Sequence, residues 1–314
     1  MSVDYSTLAS RLGFEERDVE KACRVSDLIR RISQVPFLRD RLSIYGGTAL
    51  AFVFFPEIYR LSVDIDFNYR HIDDDDWGIV RDRIDEDLKR VLYSLRYSES
   101  DLSIEASYPL GRITVDYVSS GGLKDSFKVE VGYMRRIPVL REDLLSDYKH
   151  PASGEAFKIL TPHHEELFAN KLCTMLYRGS SRDLFDVYKI SGLPMDIEVF
   201  RVCAVVDSLM RGAPGLHEIE VKKIVGGIPV DSSLLNLLRR GLNGFSPVEA
   251  RERVMEFCER ILSNLTTDQK KAINQFHEEK TFNPKLIDKI GVLNSGIKTH
   301  PMILRALQKM NHVD

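Results

Sequence analysis

The sequence predicts an α/β protein, of the α+β kind, in which a mixed sheet flanked by helices is followed by an all-helical C-terminal lobe. Three observations support this prediction. Apolar residues alternate with polar ones in two stretches, 60–68 and 102–133, as is typical of half-buried strands. Apolar residues at helical spacing occupy residues 1–43. After Gly192 the chain again shows helical spacing almost throughout.

These patterns predict two domains. Residues 1–190 form the core with its N-terminal helix and the later helices that carry motifs, and residues 191–314 form the helical C-terminal domain. Ligand sites occur preferentially in clefts between domains. We therefore expect the functional site to lie in the cleft between the two lobes.

Composition narrows the class of protein. With 314 residues, 43% of them hydrophobic, the chain can bury a substantial core, and a net charge of −3 argues against a generally basic nucleic-acid coat. Its four cysteines form no CxxC pair, which argues against zinc and predicts buried, reduced thiols. The N-terminus carries no apolar signal segment, and no run approaches the ~18–20 apolar residues of a membrane helix. We expect a cytoplasmic protein without a membrane partner.

The helices of the first domain have recognisable ends. Residues 1–43 are predicted to be helical, with an interruption at Pro36. A second helix is predicted from Trp77 to Leu95, after the acidic run Asp73–Asp76. That run could be read as metal ligands, but aspartate is favoured at helix starts, so we interpret it as a solvated loop that caps the helix.

The stretch Arg60–Asn68 carries the first candidate site. Its apolar residues alternate strictly with polar ones, so Asp64 and Asp66 are expected to share one face of a strand. Two adjacent carboxylates repel each other unless a cation bridges them. Paired hard oxygen ligands suit Mg²⁺, which completes its coordination with water and substrate phosphates.

A glycine turn precedes this strand. Ile44 and Tyr45 are predicted to end a strand, Gly46 and Gly47 to make the turn, and Thr48 to begin an apolar helix that runs to about Phe55. Free amides at a helix start, beside a hydroxyl and two residues without side chains, suit a bound phosphate.

Further strands are predicted between residues 102 and 133. Alternation places Asp116 and Glu130 each on a polar face, and either could supply a third carboxylate beside Asp64 and Asp66. The pattern alone does not separate the two.

Two helices with clear start signals follow. The first is predicted over 161–178, with Thr161 as cap, Pro162 at the first position and Gly179 as the stop. The second begins after Ser180-Ser181, and its Asp183 and Asp186 share a face. In the C-terminal domain, capping boxes at Ser246 and Thr266 and Asx-Pro or His-Pro pairs predict further helices. These pairs are Asn283-Pro284 and His300-Pro301.

Together these pieces resemble the AbiEii/AbiGii family of nucleotidyltransferase toxins, which includes the MenT-like proteins. Members are the toxic halves of type IV toxin–antitoxin and phage-abortive systems. The matching motifs are Gly47-Thr48 with Asp64 and Asp66, Lys128 with Glu130, Glu166 with Lys171, and Arg178 with Arg182, Asp183 and Asp186. Thr48 stands where Ser is commoner, and Glu130 where Asp is commoner. The second motif favours Glu130 over Asp116.

The resemblance implies a nucleotidyltransferase-type sheet and a Mg²⁺-dependent transfer of a nucleotidyl group from an NTP, with a tRNA 3′ end as acceptor in some relatives. It also implies an antitoxin encoded by a neighbouring gene and a role in phage defence. The implied catalytic residues are Asp64, Asp66, Lys171 and Asp183, and the implied metal ligands are Asp64, Asp66 and Glu130. The implied nucleotide-binding residues are Gly46, Gly47, Thr48, Lys128, Lys171, Arg178 and Arg182.

Alternatives remain open at this point. The acceptor could be a protein hydroxyl that receives nucleotide or phosphate, or the chain could be a non-catalytic nucleotide-binding partner protein. Asp186 could belong to an ion network between two helices rather than to the site.

Overall fold

The computed structural model describes residues 3–73, 76–212, 214–241 and 245–311. The chain forms two compact units. The first comprises Met1–Arg136, Asp143–Thr161 and Asn236–Leu242, and the second comprises Ile137–Glu142, Pro162–Leu235 and Asn243–Asp314. The second unit therefore includes the two motif helices that the sequence analysis assigned to residues 1–190. A functional domain boundary after residue 190 stays a prediction.

The first unit is built on a mixed five-stranded sheet, which confirms the predicted fold class. Its strand order is β1-β2-β5-β4-β3, in which only β2 and β5 run parallel. The strands are β1 (Leu42–Tyr45), β2 (Ile65–Tyr69), β3 (Leu102–Ser107), β4 (Leu110–Val118) and β5 (Lys124–Gly132).

Helices accompany this sheet. They are α1 (Tyr5–Leu12), α2 (Glu16–Ser33), α3 (Pro36–Arg39), α4 (Gly46–Ala49), a π-helical turn (Leu50–Phe54), α5 (Trp77–Ser94) and a 3₁₀ turn (Glu99–Asp101). Helix α2 packs against β5 and α5. The predicted cap of α5 is confirmed, because the Asp76 side chain accepts from the N–H groups of Gly78 and Ile79. Asp74 and Asp75 lie outside the described residues.

Two predicted boundaries in this region are wrong: the end of a helical stretch and the start of a strand. The stretch predicted to be helical to residue 43 gives way to β1 at Leu42. The strand predicted from Arg60 begins only at Ile65, so Asp64 lies in a bend just before β2. The reason is tertiary, since the chain before Asp64 pairs instead with a later segment. Leu61 N–H donates to the Leu237 carbonyl over 3.0 Å.

A two-stranded sheet in the first unit was not predicted. Strand β6 (Leu144–Lys149) pairs antiparallel with β7 (Ala156–Thr161). Thr161 is therefore the last residue of a strand and does not cap the next helix, which corrects the sequence-based assignment. Its hydroxyl lies 2.7 Å from Ser146 Oγ, across the strand pair.

The second unit is helical, as predicted. Its elements are α6 (His164–Arg178), α7 (Ser181–Ile190), α8 (Ile197–Arg211), a 3₁₀ turn (Leu216–Glu218), α9 (Val221–Gly227), α10 (Ser232–Leu235), α11 (Pro247–Ser263), α12 (Thr267–Glu278), α13 (Pro284–Ile287), a 3₁₀ turn (Ile297–Thr299) and α14 (Pro301–Asn311). Helix α6 packs against α7 and α8. The predicted caps at Ser246 and Thr266 are confirmed, and Gly179 ends α6 in the left-handed region with φ of 71°. Helix α7 begins at Ser181, one residue before the predicted start, and Ser180 caps it.

All four cysteines are buried free thiols, as expected: Cys23, Cys173, Cys203 and Cys258. Burial raises the pKa of Cys23 and of Cys258 to about 12, so neither ionises near neutral pH. None of the helices in the described part of the chain is both long and apolar enough to cross a membrane.

One buried ion pair joins β2 to the start of β6. The Arg70 guanidinium contacts Asp143 through Nε at 2.7 Å and through Nη2 at 3.1 Å, and Nη1 donates to the Arg135 carbonyl. The two side chains are only 3% and 5% exposed. Removing one partner of such a pair leaves the other charge buried without compensation.

Asp143→Asn should therefore lower the free energy of unfolding by about 3–5 kcal/mol. Asp147→Asn is the matched control, because Asp147 pairs with Lys158 at an exposed position where an ion pair contributes at most ~1 kcal/mol. Urea titrations followed by circular dichroism would compare the two variants. Equal midpoints would show that the buried pair does not stabilise the first unit.

Candidate active site

The glycine turn before the apolar helix is packed directly against Asp66. Gly46 has a φ of +68°, and a Cβ at this position would overlap the Asp66 carboxylate oxygen Oδ2. Any L side chain here would therefore be strained and would push the carboxylate away. Gly46 thus fixes Asp66 at the first turn of α4. N–H groups in the first turn of a helix have no carbonyl partner within that helix.

The Thr48 hydroxyl is used inside the fold. Thr48 is fully buried, and its Oγ1 donates to the Asp64 carbonyl over 2.5 Å and lies 2.9 Å from Ser62 Oγ. The hydroxyl therefore fixes the bend that presents Asp64. Its predicted contact with phosphate stays a prediction.

The parallel pairing of β2 with β5 places carboxylates side by side. Asp66 is opposite Glu130 in this register, and Asp64 Oδ1 accepts from the Lys128 N–H over 3.1 Å. Side chains opposite each other on paired strands share a face. Asp64 and Asp66 thus both lie along the same short stretch of β5.

The register also separates the two candidates for a third carboxylate. Glu130 is opposite Asp66 on β5, whereas Asp116 is opposite Ser126, four residues further along the β4–β5 ladder. Glu130 is therefore the carboxylate beside Asp66. Its Oε1 accepts from Arg112 Nε over 2.7 Å.

The residues of the first unit suit a divalent cation in their donor chemistry. Asp64 and Asp66 offer the carboxylate oxygens that Mg²⁺ prefers, and Asp66 is held in place by a cradle that only glycine leaves open. In the described ranges no three His, Cys, Asp or Glu side chains form a group that could hold a metal. A cation here would be held by two aspartates and completed by water or phosphate oxygens, and Glu130 as a third ligand stays a prediction.

The predicted residues of the second unit form a buried ion cluster, defined here as Lys171, Arg178, Asp183 and Asp186. Lys171 Nζ contacts Asp186 at 2.9 Å and Asp183 at 3.8 Å, and Arg178 Nη2 contacts Asp183 at 2.6 Å. The Lys171 side chain is 10% exposed, and both aspartates are almost completely buried. Two helices thus share one compensated set of charges. Asp186 contacts Lys171 within the helix pair, as the alternative interpretation of this residue expects.

Three further predicted residues differ in environment. The Glu166 carboxylate is buried and accepts from the N–H groups of Val139 and Leu140, so it anchors that loop. Arg182 and Lys128 are exposed, and neither side chain makes a hydrogen bond or ion pair with another described residue. Both are available to a ligand.

Sequence reasoning missed two residues of this region, Arg60 and Arg112. A Cβ on Gly47 would lie 2.7 Å from Arg60 Nη2, so Gly47 makes room for the buried Arg60 guanidinium. Arg112 occupies a polar position in the alternating pattern of β4, and this pattern is the sequence signal that could have identified it. Its partner Glu130 could be known only from the register of the strand pair.

Two solved structures resemble this chain to different degrees. MenT4, the nucleotidyltransferase toxin Rv2826c from Mycobacterium tuberculosis H37Rv, aligns over 98% of this chain and 99% of its own, with a TM-score of 0.62 and 18% identity, which shows a shared fold. An antigenic nucleotidyltransferase-like protein from Paracoccidioides brasiliensis aligns over 80% of this chain and 92% of its own, with a TM-score of 0.36 and 15% identity. A comparison with curated proteins finds no significant match.

The family evidence comes from the sequence. Residues 27–280 match the family described as nucleotidyl transferase AbiEii toxin, type IV TA system, and this range is well over half of the chain. The chain therefore belongs to the AbiEii family of nucleotidyltransferase toxins from type IV toxin–antitoxin systems.

Proposed function

We propose that this chain transfers a nucleotidyl group from an NTP to an acceptor, with Mg²⁺ held at Asp64 and Asp66 and a tRNA 3′ end as the acceptor. The observation that carries the proposal is the packing of Asp66 between the Gly46 turn and the registered strand β5. A carboxylate packed beside the first turn of a helix supports this proposal, because carboxylate oxygens suit Mg²⁺ and free backbone N–H groups suit phosphate. We expect the reaction in the cytoplasm, where NTP and tRNA are present.

The residues of the first unit have separate roles in this proposal. Gly46, Gly47 and Thr48 bind the outer phosphates, and exposed Lys128 neutralises a phosphate oxygen as a point charge. Asp64 and Asp66 hold the cations at fixed positions, because the Lys128 N–H and the Gly46 cradle orient their carboxylates. When bound, paired Mg²⁺ ions stabilise the negative charge on the attacking and leaving oxygens.

The residues of the second unit enter through the family resemblance. We propose that Lys171 and Asp183 serve the same reaction, as a cation for phosphate and as a base or orienting acid. Arg178 and Arg182 bind phosphate. Arg178 is more than half exposed although it is paired with Asp183, so its guanidinium can reach a ligand without leaving the cluster.

A second acceptor is compatible with the same site. A protein hydroxyl attacks the same phosphorus atom, and the residues that bind the NTP do not distinguish it from a ribose hydroxyl. A purely nucleotide-binding protein would not need paired carboxylates. Two aspartates oriented beside a phosphate-binding turn therefore favour transfer.

The first prediction concerns transfer itself. With each α-labelled NTP, Mg²⁺ and total tRNA, the protein should move label into tRNA, and Asp66→Asn should reduce the rate by at least ~10²-fold, since a charge that stabilises the transition state is lost. The substitution is nearly isosteric, so the midpoint temperature of thermal unfolding should not fall. Asp116→Asn is the control, because Asp116 is exposed away from Asp66 and should transfer like the wild type.

Parallel reactions with total protein instead of tRNA distinguish the acceptors. Label in protein alone would replace the tRNA assignment, and γ-labelled NTP would reveal phosphate transfer. Full activity in Asp66→Asn would remove Asp66 from the metal site.

The second prediction concerns Lys171. Lys171→Met removes the cation that lies 2.9 Å from the buried Asp186 carboxylate and should lower the free energy of unfolding by about 3–5 kcal/mol. The double variant Lys171→Met/Asp186→Leu removes both charges and should recover most of that stability. Lys222→Met, at a strongly exposed position, is the control.

Transfer assays on the same variants separate two roles of the lysine. If Lys171 binds phosphate, the double variant regains stability but not transfer. Wild-type transfer by the double variant would show that Lys171 acts only through the fold.

The third prediction concerns toxicity. Expression of the chain alone should slow growth, and Asp66→Asn at the same protein level should not, because the toxic effect requires transfer. Co-expression with the product of a neighbouring gene should restore growth if that product is the antitoxin. Growth curves with matched immunoblots would measure this. Equal slowing by wild type and Asp66→Asn would indicate a burden of expression rather than a toxin.

A further inference from the structure

Four charged side chains cross the sheet of the first unit in one row. Strand register places Glu105 opposite Arg112, Arg112 opposite Glu130, and Glu130 opposite Asp66. We call these four residues the charged row. Arg112 contacts Glu130 at 2.7 Å and Glu105 at 3.1 Å. One guanidinium therefore lies between two carboxylates, and only one of them is beside Asp66.

The two carboxylates that contact this guanidinium differ in their exposure to solvent. Glu130 is 26% exposed and Glu105 is 59% exposed, so the contact with Glu130 is less weakened by water. Arg112 Nε donates to Glu130 Oε1 over 2.7 Å, so this carboxylate oxygen is engaged by the guanidinium.

A carboxylate held by arginine is a poor metal ligand. Like charges directly opposite each other on paired strands are destabilising, and Arg112 relieves the repulsion between Glu130 and Asp66. A divalent cation at Asp66 would relieve the same repulsion. Arginine and cation therefore compete for Glu130.

We propose that Arg112 is a positioning residue that sets the cation affinity of the site by holding Glu130 away from it. This inference rests on the proposed function, in which Asp64 and Asp66 hold a divalent cation. In the cation-loaded protein Glu130 exchanges Arg112 for the cation, and Glu105 keeps the guanidinium paired. Glu105 and Glu130 contact Arg112 from opposite sides. Removing Arg112 and removing the charge of Glu105 should therefore change the cation affinity in opposite directions.

The experiment is a titration of the nucleotide-free protein with Mn²⁺, which replaces Mg²⁺ at oxygen sites. Free Mn²⁺ is measured by electron paramagnetic resonance. Arg112→Met releases Glu130 and should tighten binding by about threefold to tenfold, whereas Glu105→Gln leaves Glu130 as the sole partner of Arg112 and should weaken binding by about twofold to threefold. Arg112→Lys, which keeps the charge without the planar fork, should fall between wild type and Arg112→Met.

Removing any positively charged side chain near a metal site can tighten metal binding simply because it reduces electrostatic repulsion of the metal ion. The control is Arg112→Met in a Glu130→Gln background, where the gain should disappear if it operates through Glu130. Arg90→Met, which removes an exposed arginine paired on α5, should leave affinity unchanged. Circular dichroism melting curves confirm that each variant is folded.

The outcomes separate the inference from the proposal beneath it. If Asp66→Asn binds Mn²⁺ like wild type, the metal site and this inference both fall. If Asp66→Asn loses binding but Arg112→Met matches wild type, or keeps its gain without Glu130, the metal site stands and the role of Arg112 is overturned.

Discussion

Electrostatic repulsion between carboxylates on one face of a sheet is the constraint around which the first unit is arranged. The parallel pairing of β2 with β5 forces Asp66 and Glu130 side by side. Carboxylates in this arrangement require compensating charge or hydrogen-bond donors. The structure supplies Arg112 at Glu130 and the Lys128 N–H at Asp64, while the Gly46 cradle fixes the position of Asp66. The glycine turn, the strand register and Arg112 together hold these acids at one place.

The acidic residues of the buried ion cluster in the second unit are paired with cations, and they are less exposed than those of the charged row. Asp183 and Asp186 are almost completely buried and are neutralised by Lys171 and Arg178 at contact distance. Burying a charge costs several kcal/mol unless it is paired and hydrogen-bonded, so the two buried aspartates depend on the cations beside them. The charged row is partly exposed, since Glu130 is 26% and Glu105 is 59% exposed. In the buried cluster, Arg178 is the exposed edge.

This contrast suits a protein of the AbiEii family. A site that binds cation and nucleotide needs carboxylates that are oriented but accessible, because their ligands arrive from solvent. A rigid second set of charges can hold a lysine in one position without using binding energy to order it. Buried groups of this kind change stability and chemistry together, so only variants that remove both partners separate the two effects.

The sequence by itself determined most of the fold class and the identity of the acidic residues. Period-2 alternation, capping residues and the spacing of Asp64 and Asp66 are local features, and each can be read from a few neighbouring residues. The helix starts at Asp76 and Thr266 were predicted correctly for that reason. The prediction that Thr161 caps a helix was wrong, because its hydroxyl contacts Ser146 between β6 and β7. No local pattern revealed this strand pairing.

Only the tertiary structure decided which acids are neighbours and what neutralises them. Glu130 and Asp116 alternate equally well along their strands, and the β2–β5 register alone places Glu130 beside Asp66. Arg112 and the burial of Lys171 were likewise beyond the sequence, because strand register and helix packing join residues that are far apart in the chain. Side-chain partners are set by those long-range contacts, whereas secondary structure is set largely by the residues next to it.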